Sequence, residues 1–141
     1  MKIKYRSLKG YKYQLTERYC VQTPIKPAQK IVSPFIRLGK GGSLQILKGY
    51  AWDGCSGPTW DDKKNMRGGL VHDACYQLLR EGYLGDIEGN LRKIADQLLR
   101  EICIEDGMSK IRAWYYYHAV RLVGGAHLKT GLGKKHGATL S

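Results

Sequence analysis

The hydrophobic pattern of this chain changes period near Gly49. Before that point Tyr11, Tyr13 and Leu15 alternate with polar residues, the period of a half-buried strand. Phe35-Ile36-Arg37-Leu38 and Ser43-Leu44-Gln45-Ile46-Leu47 flank Gly39-Lys40-Gly41-Gly42, and glycine supplies the positive φ angles that a hairpin turn demands. Pro24, Pro27 and Pro34 confine the segment between to loop or edge strand, because proline has no N–H to give to a ladder. Residues 49–62 carry three glycines and a proline among Tyr50, Trp52 and Trp60, the pattern of an ordered loop anchored by its aromatic rings.

Beyond the loop, apolar residues recur at helical spacing in three runs. Asp61 or Asp62 caps the first, with Met66, Leu70, Ala74 and Leu78 on its buried face, Val71 and Cys75 beside them, and Gly82 ending it. Asp86 caps the second, whose stripe is Leu91, Ile94, Ala95, Leu98 and Ile102; Glu105-Asp106-Gly107 stops it. Ser109 opens the third, bearing Ile111, Trp114, Tyr115, His118 and Leu122, and Gly124-Gly125 closes it. Helices joined by a short turn pack antiparallel, so the second lies against the first. These signals predict an α+β fold, with N-terminal antiparallel strands and a hairpin followed by a three-helix core. The expected organisation is one domain over residues 1–125, comprising a basic β region (1–49), a Gly-rich loop (50–62) and a helical core (63–125). A flexible basic tail, 126–141, follows.

Charge divides along the same lines. Residues 1–50 hold eleven Lys and Arg against Glu17 alone, residues 51–123 are nearly balanced, and Lys129, Lys134 and Lys135 make the tail positive; the whole chain carries +12. A basic sector on a near-neutral body predicts an anionic partner: a phospholipid surface, nucleic acid or an acidic protein. The first ten residues lack the apolar run of a signal peptide, and no stretch reaches the roughly 20 apolar residues that span a bilayer, so a soluble protein is expected. Cys20, Cys55, Cys75 and Cys103 lie far apart with no CxxC pair, which argues against structural zinc and for free thiols.

The chemistry concentrates in His72-Asp73-Ala74-Cys75-Tyr76. On a helix, residues 72 and 76 share a face while 73 is turned by about 100°. His72 then points into a cleft with Tyr76 one turn along, and Asp73 faces the preceding loop. Loop carbonyls plus one carboxylate make an oxygen cage suited to Ca²⁺. Asp96, on the second helix, is placed to reach the Nδ1 side of His72, fixing its tautomer and stabilising the imidazolium, so that His72 acts as general base for water. Each group also has a purely structural reading. Asp73 can pair with Arg67, and Asp96 sits four residues from both Arg92 and Arg100.

The run HDACY resembles the His-Asp-x-Cys-Tyr motif on the catalytic helix of secreted phospholipases A2, which place a Gly-rich calcium loop some eighteen residues before the histidine, here at Gly54. The resemblance implies His72 as base, Asp96 as its partner and Tyr76 as hydrogen-bond donor to Asp96. It further implies Ca²⁺ held by Asp73 with carbonyls near Trp52, Gly54 and Ser56. Gly57-Pro58-Thr59 with His72–Tyr76 is also similar to the phospholipase segment of parvovirus capsid proteins. A second resemblance runs from about residue 45 to 125 and is to an uncharacterised family of tailed phages and prophages, domain of unknown function 1353. Ala95-Asp96 and Arg112-Ala113-Trp114 through Val120-Arg121 are its most specific part. It implies a phage protein with a phospholipase A2-like core, found in the bacterial host cytoplasm or in the virion. Two functions follow as expectations. One is a lipid-ester hydrolase. The other is a non-enzymatic virion, assembly or host-takeover protein whose basic β region binds nucleic acid or a protein partner. The chain departs from secreted phospholipases in having Ala95 where they carry a cysteine before the aspartate, and strands where they carry an N-terminal helix.

Overall fold

A computed structural model describes residues 3–7, 13–53, 63–84 and 90–130, with side chains through Val123. Among these residues are seven strands and three helices, with the strands first: the α+β arrangement expected from the change of period. By its contacts the chain forms two compact units, one holding residues 1–53 and 135–141 and the other residues 54–134, where the sequence reads as one domain over 1–125.

The β unit contains two antiparallel sheets. In the first, β1 (Tyr5–Ser7), β2 (Tyr13–Leu15) and β7 (Ala51–Trp52) are ordered β1-β2-β7. In the second, β3 (Tyr19–Gln22), β4 (Ile31–Val32), β5 (Ile36–Leu38) and β6 (Ser43–Ile46) are ordered β3-β6-β5-β4. The β5–β6 hairpin pairs Leu38 with Leu44 and Ile36 with Ile46, and all four side chains are buried. Its turn needs glycine at position 42, where φ is +97° and an added Cβ would strike the Thr23 carbonyl oxygen. The proline-containing stretch 24–30 forms no strand, and β4 is an edge strand. Strand β2 is less regular than its alternation suggests, because Gln14 is buried beside Leu15. The Gln14 side chain is satisfied there by accepting from Arg6 and donating to the Gly49 carbonyl. Tyr11 lies outside the described residues. Trp52, expected in a loop, is fully buried in β7 opposite Tyr13.

The helical unit comprises α1 (Met66–Arg80), α2 (Asn90–Glu105) and α3 (Lys110–Thr130). Helix α2 packs against both of the others. Contacts of α1 with α2 run in opposite sequence directions, Arg67 meeting Glu105 and Asp106 while Tyr76 meets Arg92, so the pair is antiparallel. Helix α1 is buried on every side from Met66 to Leu78, which a helix with several polar residues tolerates only if each finds partners. Arg67 does so by donating through Nε and Nη2 to the Asp106 carboxylate at 3.0 Å each, and from Nη2 to Glu105 at 2.7 Å. Gly68 allows the close approach of α2. An added Cβ there would lie 2.9 Å from Cys103 Sγ and 3.2 Å from the Leu99 carbonyl oxygen.

Several helix limits differ from expectation. Helix α1 begins after Asn65, with no side-chain cap bond, so neither Asp61 nor Asp62 is its cap. Asp86 lies outside the described residues. Gly82 (φ +81°) and Gly107 (φ +102°) do end their helices. In each case the glycine N–H and the next residue's N–H bond back to two of the last carbonyls, Leu79 and Leu78 or Ile104 and Cys103. On α2, Leu91 and Ile94 are only half-buried; Asp96, Leu99 and Cys103 join Ala95, Leu98 and Ile102 inside. Ser109 caps α3 by accepting from the Arg112 N–H. Yet α3 continues through Gly124-Gly125 to Thr130, so the tail does not begin at 126. Residues 131–141 lie outside the described residues. The buried face of α3 is Ala113, Tyr116, Tyr117 and Val120, whereas Ile111, Trp114, Tyr115, His118 and Leu122 all point outward. The core between α2 and α3 is formed by Leu99, Cys103, Met108, Ala113, Tyr116 and Val120.

Candidate active site

His72 and Tyr76 stand one turn apart on α1, their ring centroids 4.2 Å from each other. Opposite them, α2 presents Asp96, which is fully buried. Its Oδ1 lies 2.6 Å from His72 Nε2 and accepts a hydrogen bond of 2.6 Å from the Tyr76 hydroxyl. Its Oδ2 accepts from Arg121 of α3 at 3.0 Å, with Arg92 Nη1 3.7 Å away. Arg92 also donates to the Arg121 carbonyl at 3.3 Å, tying α2 to α3 at this level. Three helices thus converge on a single carboxylate. The three side chains read from the sequence as catalytic, His72, Asp96 and Tyr76, are together.

Burial works to raise the Asp96 pKa, but the hydrogen bonds and charge of His72, with the bonds from Tyr76 and Arg121, hold it below the usual carboxylate range. Burial also raises the Tyr76 pKa, and the Asp96 charge adds to that, so the phenol remains a proton donor at neutral pH. An ionised carboxylate only accepts, so His72 Nε2 carries the hydrogen of the 2.6 Å contact, and whenever the ring is neutral Nδ1 keeps its lone pair. This corrects the expected geometry: Asp96 lies on the Nε2 side, not the Nδ1 side. Nε2 is the ring nitrogen farther from the backbone of α1, and it spans the gap to α2. Nδ1 is buried and has no hydrogen-bond partner among the described residues.

Cys75, between His72 and Tyr76, is not a nucleophile. Burial, reinforced by the Asp96 charge, pushes its thiol up to about 12, and no thiolate forms at neutral pH. Cys75 is free and buried and Cys20 free and exposed; Cys103 is buried, and Cys55 lies outside the described residues. His118 is exposed on α3, against Trp114 and Tyr117, and is neither core nor part of the cluster.

Asp73 is buried on α1, Trp52 belongs to β7 of the other unit, and Gly54 and Ser56 lie outside the described residues. No group of three His, Cys, Asp or Glu side chains suited to a metal ion occurs among the described residues.

Two residues of the cluster escaped the sequence reading. Arg92 was visible only as a surface ion pair with Asp96 four residues on, yet its side chain is 16% exposed and bridges to α3. Nothing local to Arg121 signals contact with a residue twenty-five positions earlier. The chain matches no family model, and neither the curated proteins nor the solved structures include a detectable match.

Proposed function

We propose that the helical unit is a phage-type, phospholipase A2-like hydrolase of lipid esters with His72 as its general base. The observation supporting this is the buried His72–Asp96–Tyr76 cluster, in which Asp96 engages Nε2 and leaves Nδ1 as the basic nitrogen. In the reaction, a water placed at Nδ1 attacks the ester carbonyl carbon and gives its proton to the ring. Asp96 offsets the positive charge that develops on the imidazolium. When the tetrahedral adduct collapses, the carbon–oxygen bond to the alcohol breaks and the imidazolium proton passes to the leaving oxygen. Fatty acid and lysolipid result, with no serine nucleophile. Arg121 and Tyr76 keep Asp96 ionised and fixed in place throughout. Calcium belongs to this proposal through Asp73; when bound, it would polarise the ester carbonyl.

One observation favours the non-enzymatic reading instead. His72 retains 2% exposure and its Nδ1 is buried, and Asp96 with its donors from α1 and α3 locks three helices together with no reaction required. A phage virion, assembly or host-takeover protein built on that lock would use its basic β region to bind nucleic acid or a protein.

Fatty-acid release from liposomes of mixed anionic and zwitterionic phospholipid separates the two. Release that requires Ca²⁺, stops with chelator and falls by at least about a thousandfold in His72→Ala is the expected result. Absence of release by folded protein at every calcium concentration overturns the hydrolase reading. Nucleic-acid binding that weakens steeply with salt and is unchanged in His72→Ala would then support the alternative.

A further inference from the structure

Helix α3 is apolar on both faces, and only one of them is packed. Ile111 is 82% exposed, Leu122 83%, Tyr115 59% and Trp114 51%. At about 100° per residue, positions 111, 115, 118 and 122 form one narrow stripe, with 114 at its edge. That stripe lies opposite Ala113, Tyr116, Tyr117 and Val120, which face the core. Over its twelve residues the outward stripe is about 16 Å long. An apolar patch of this kind on the surface marks a binding surface.

We propose that this face seats the protein on an anionic phospholipid surface, with α3 lying in the plane of the interface. Charge selects that occupant. No Asp or Glu follows Asp106 anywhere in the sequence, while Lys110, Arg112, Lys129, Lys134 and Lys135 do. Lys110, exposed, falls on one flank of the stripe and Arg112, half-buried, on the other, so cationic positions border the apolar face that would sink between anionic headgroups. Trp114 and Tyr115 suit the headgroup boundary, having both an apolar ring and a polar tip. A second copy of the chain is a poor occupant, because it would bring the same cationic flanks together. Nucleic acid is poorer still, because Ile111 and Leu122 offer it neither charge nor a stacking plane. No described helix is long and apolar enough to cross a membrane, so α3 rests on the bilayer. Arg121, the neighbour of Leu122, contacts Asp96, so the docking face and the cluster share one helix. The inference rests on the lipid-hydrolase reading for its role, and its test is independent of turnover.

The test is co-sedimentation at low salt with vesicles of phosphatidylcholine containing phosphatidylglycerol, and with phosphatidylcholine alone. Wild type and His72→Ala are expected to bind the anionic vesicles equally and the neutral ones more weakly. Ile111→Glu with Leu122→Glu, and the milder Ile111→Ser with Leu122→Ser, should weaken binding by at least about tenfold with unchanged circular dichroism. The same variants should still hydrolyse a short-chain ester dissolved as monomers, so a failed hydrolase reading and a failed docking face give different results. Equal vesicle binding by wild type and both double variants, or no binding by wild type, overturns the proposal. So does self-association, or nucleic-acid binding, that the double variants abolish.

Discussion

Asp96 has more partners in this cluster than His72 has. It accepts from His72, Tyr76 and Arg121 while fully buried, so its charge is stabilised only while those donors remain. Replacing it with Asn removes the charge and leaves Arg121 without its anion, at a cost of about 3–5 kcal/mol. Tyr76→Phe removes one charge-assisted hydrogen bond and leaves the rest intact, at about 1–3 kcal/mol. Urea unfolding of both variants should return that order, and the reverse order would mean that Asp96 is not the hub. His72, Asp96 and Tyr76 were legible in the sequence because a turn of helix sets two of them, and an antiparallel neighbour brings the third. Which imidazole nitrogen meets Asp96 was not legible, since it depends on the gap between helices. Arg121 was hidden for the same reason: its role depends on which side of α3 faces α2.

At the scale of the elements, local chemistry was read well and competition between faces was not. The helix ends at Gly82 and Gly107 follow from positive φ, a property of the residue itself. The hairpin at Gly42 follows likewise. The start of α1 did not follow, because Asp61, Asp62 and Asn65 are equally good capping residues by type, and Asn65 makes no side-chain cap bond. Helix α3 carries two apolar stripes, and spacing alone cannot say which packs inward; the one with the larger side chains turned out to be exposed. Gly68 shows how tightly α1 and α2 meet. Gly68→Ala forces a Cβ against Cys103 Sγ and the Leu99 carbonyl, and should destabilise the protein by about 1–3 kcal/mol despite alanine's better helix propensity. A thermal melt unchanged or raised in that variant would show that the two helices give way easily.

For the molecule as a whole, the period change near Gly49 was the most informative signal, since strands precede helices and the division into two compact units falls at Asp53 and Gly54. Charge asymmetry was equally legible, because it needs no structure. The pH dependence follows from the cluster. The Asp96 pKa is lower in the folded chain than in the unfolded one, so its stabilisation is complete above about pH 4 and is lost as pH falls through the folded value. Urea midpoints measured from neutral to strongly acidic pH should therefore fall more steeply in wild type than in Asp96→Asn. Parallel curves would place the acid lability elsewhere.

Long-range ¹H–¹⁵N NMR of the His72 imidazole near neutral pH tests the Asp96–His72 arrangement most directly. In the neutral form of the ring the expected spectrum shows the hydrogen on Nε2 with Nδ1 bare, and a loss of that preference in Asp96→Asn. A ring protonated on Nδ1, or a wild-type spectrum that Asp96→Asn leaves unchanged, would contradict it and remove Nδ1 as the base.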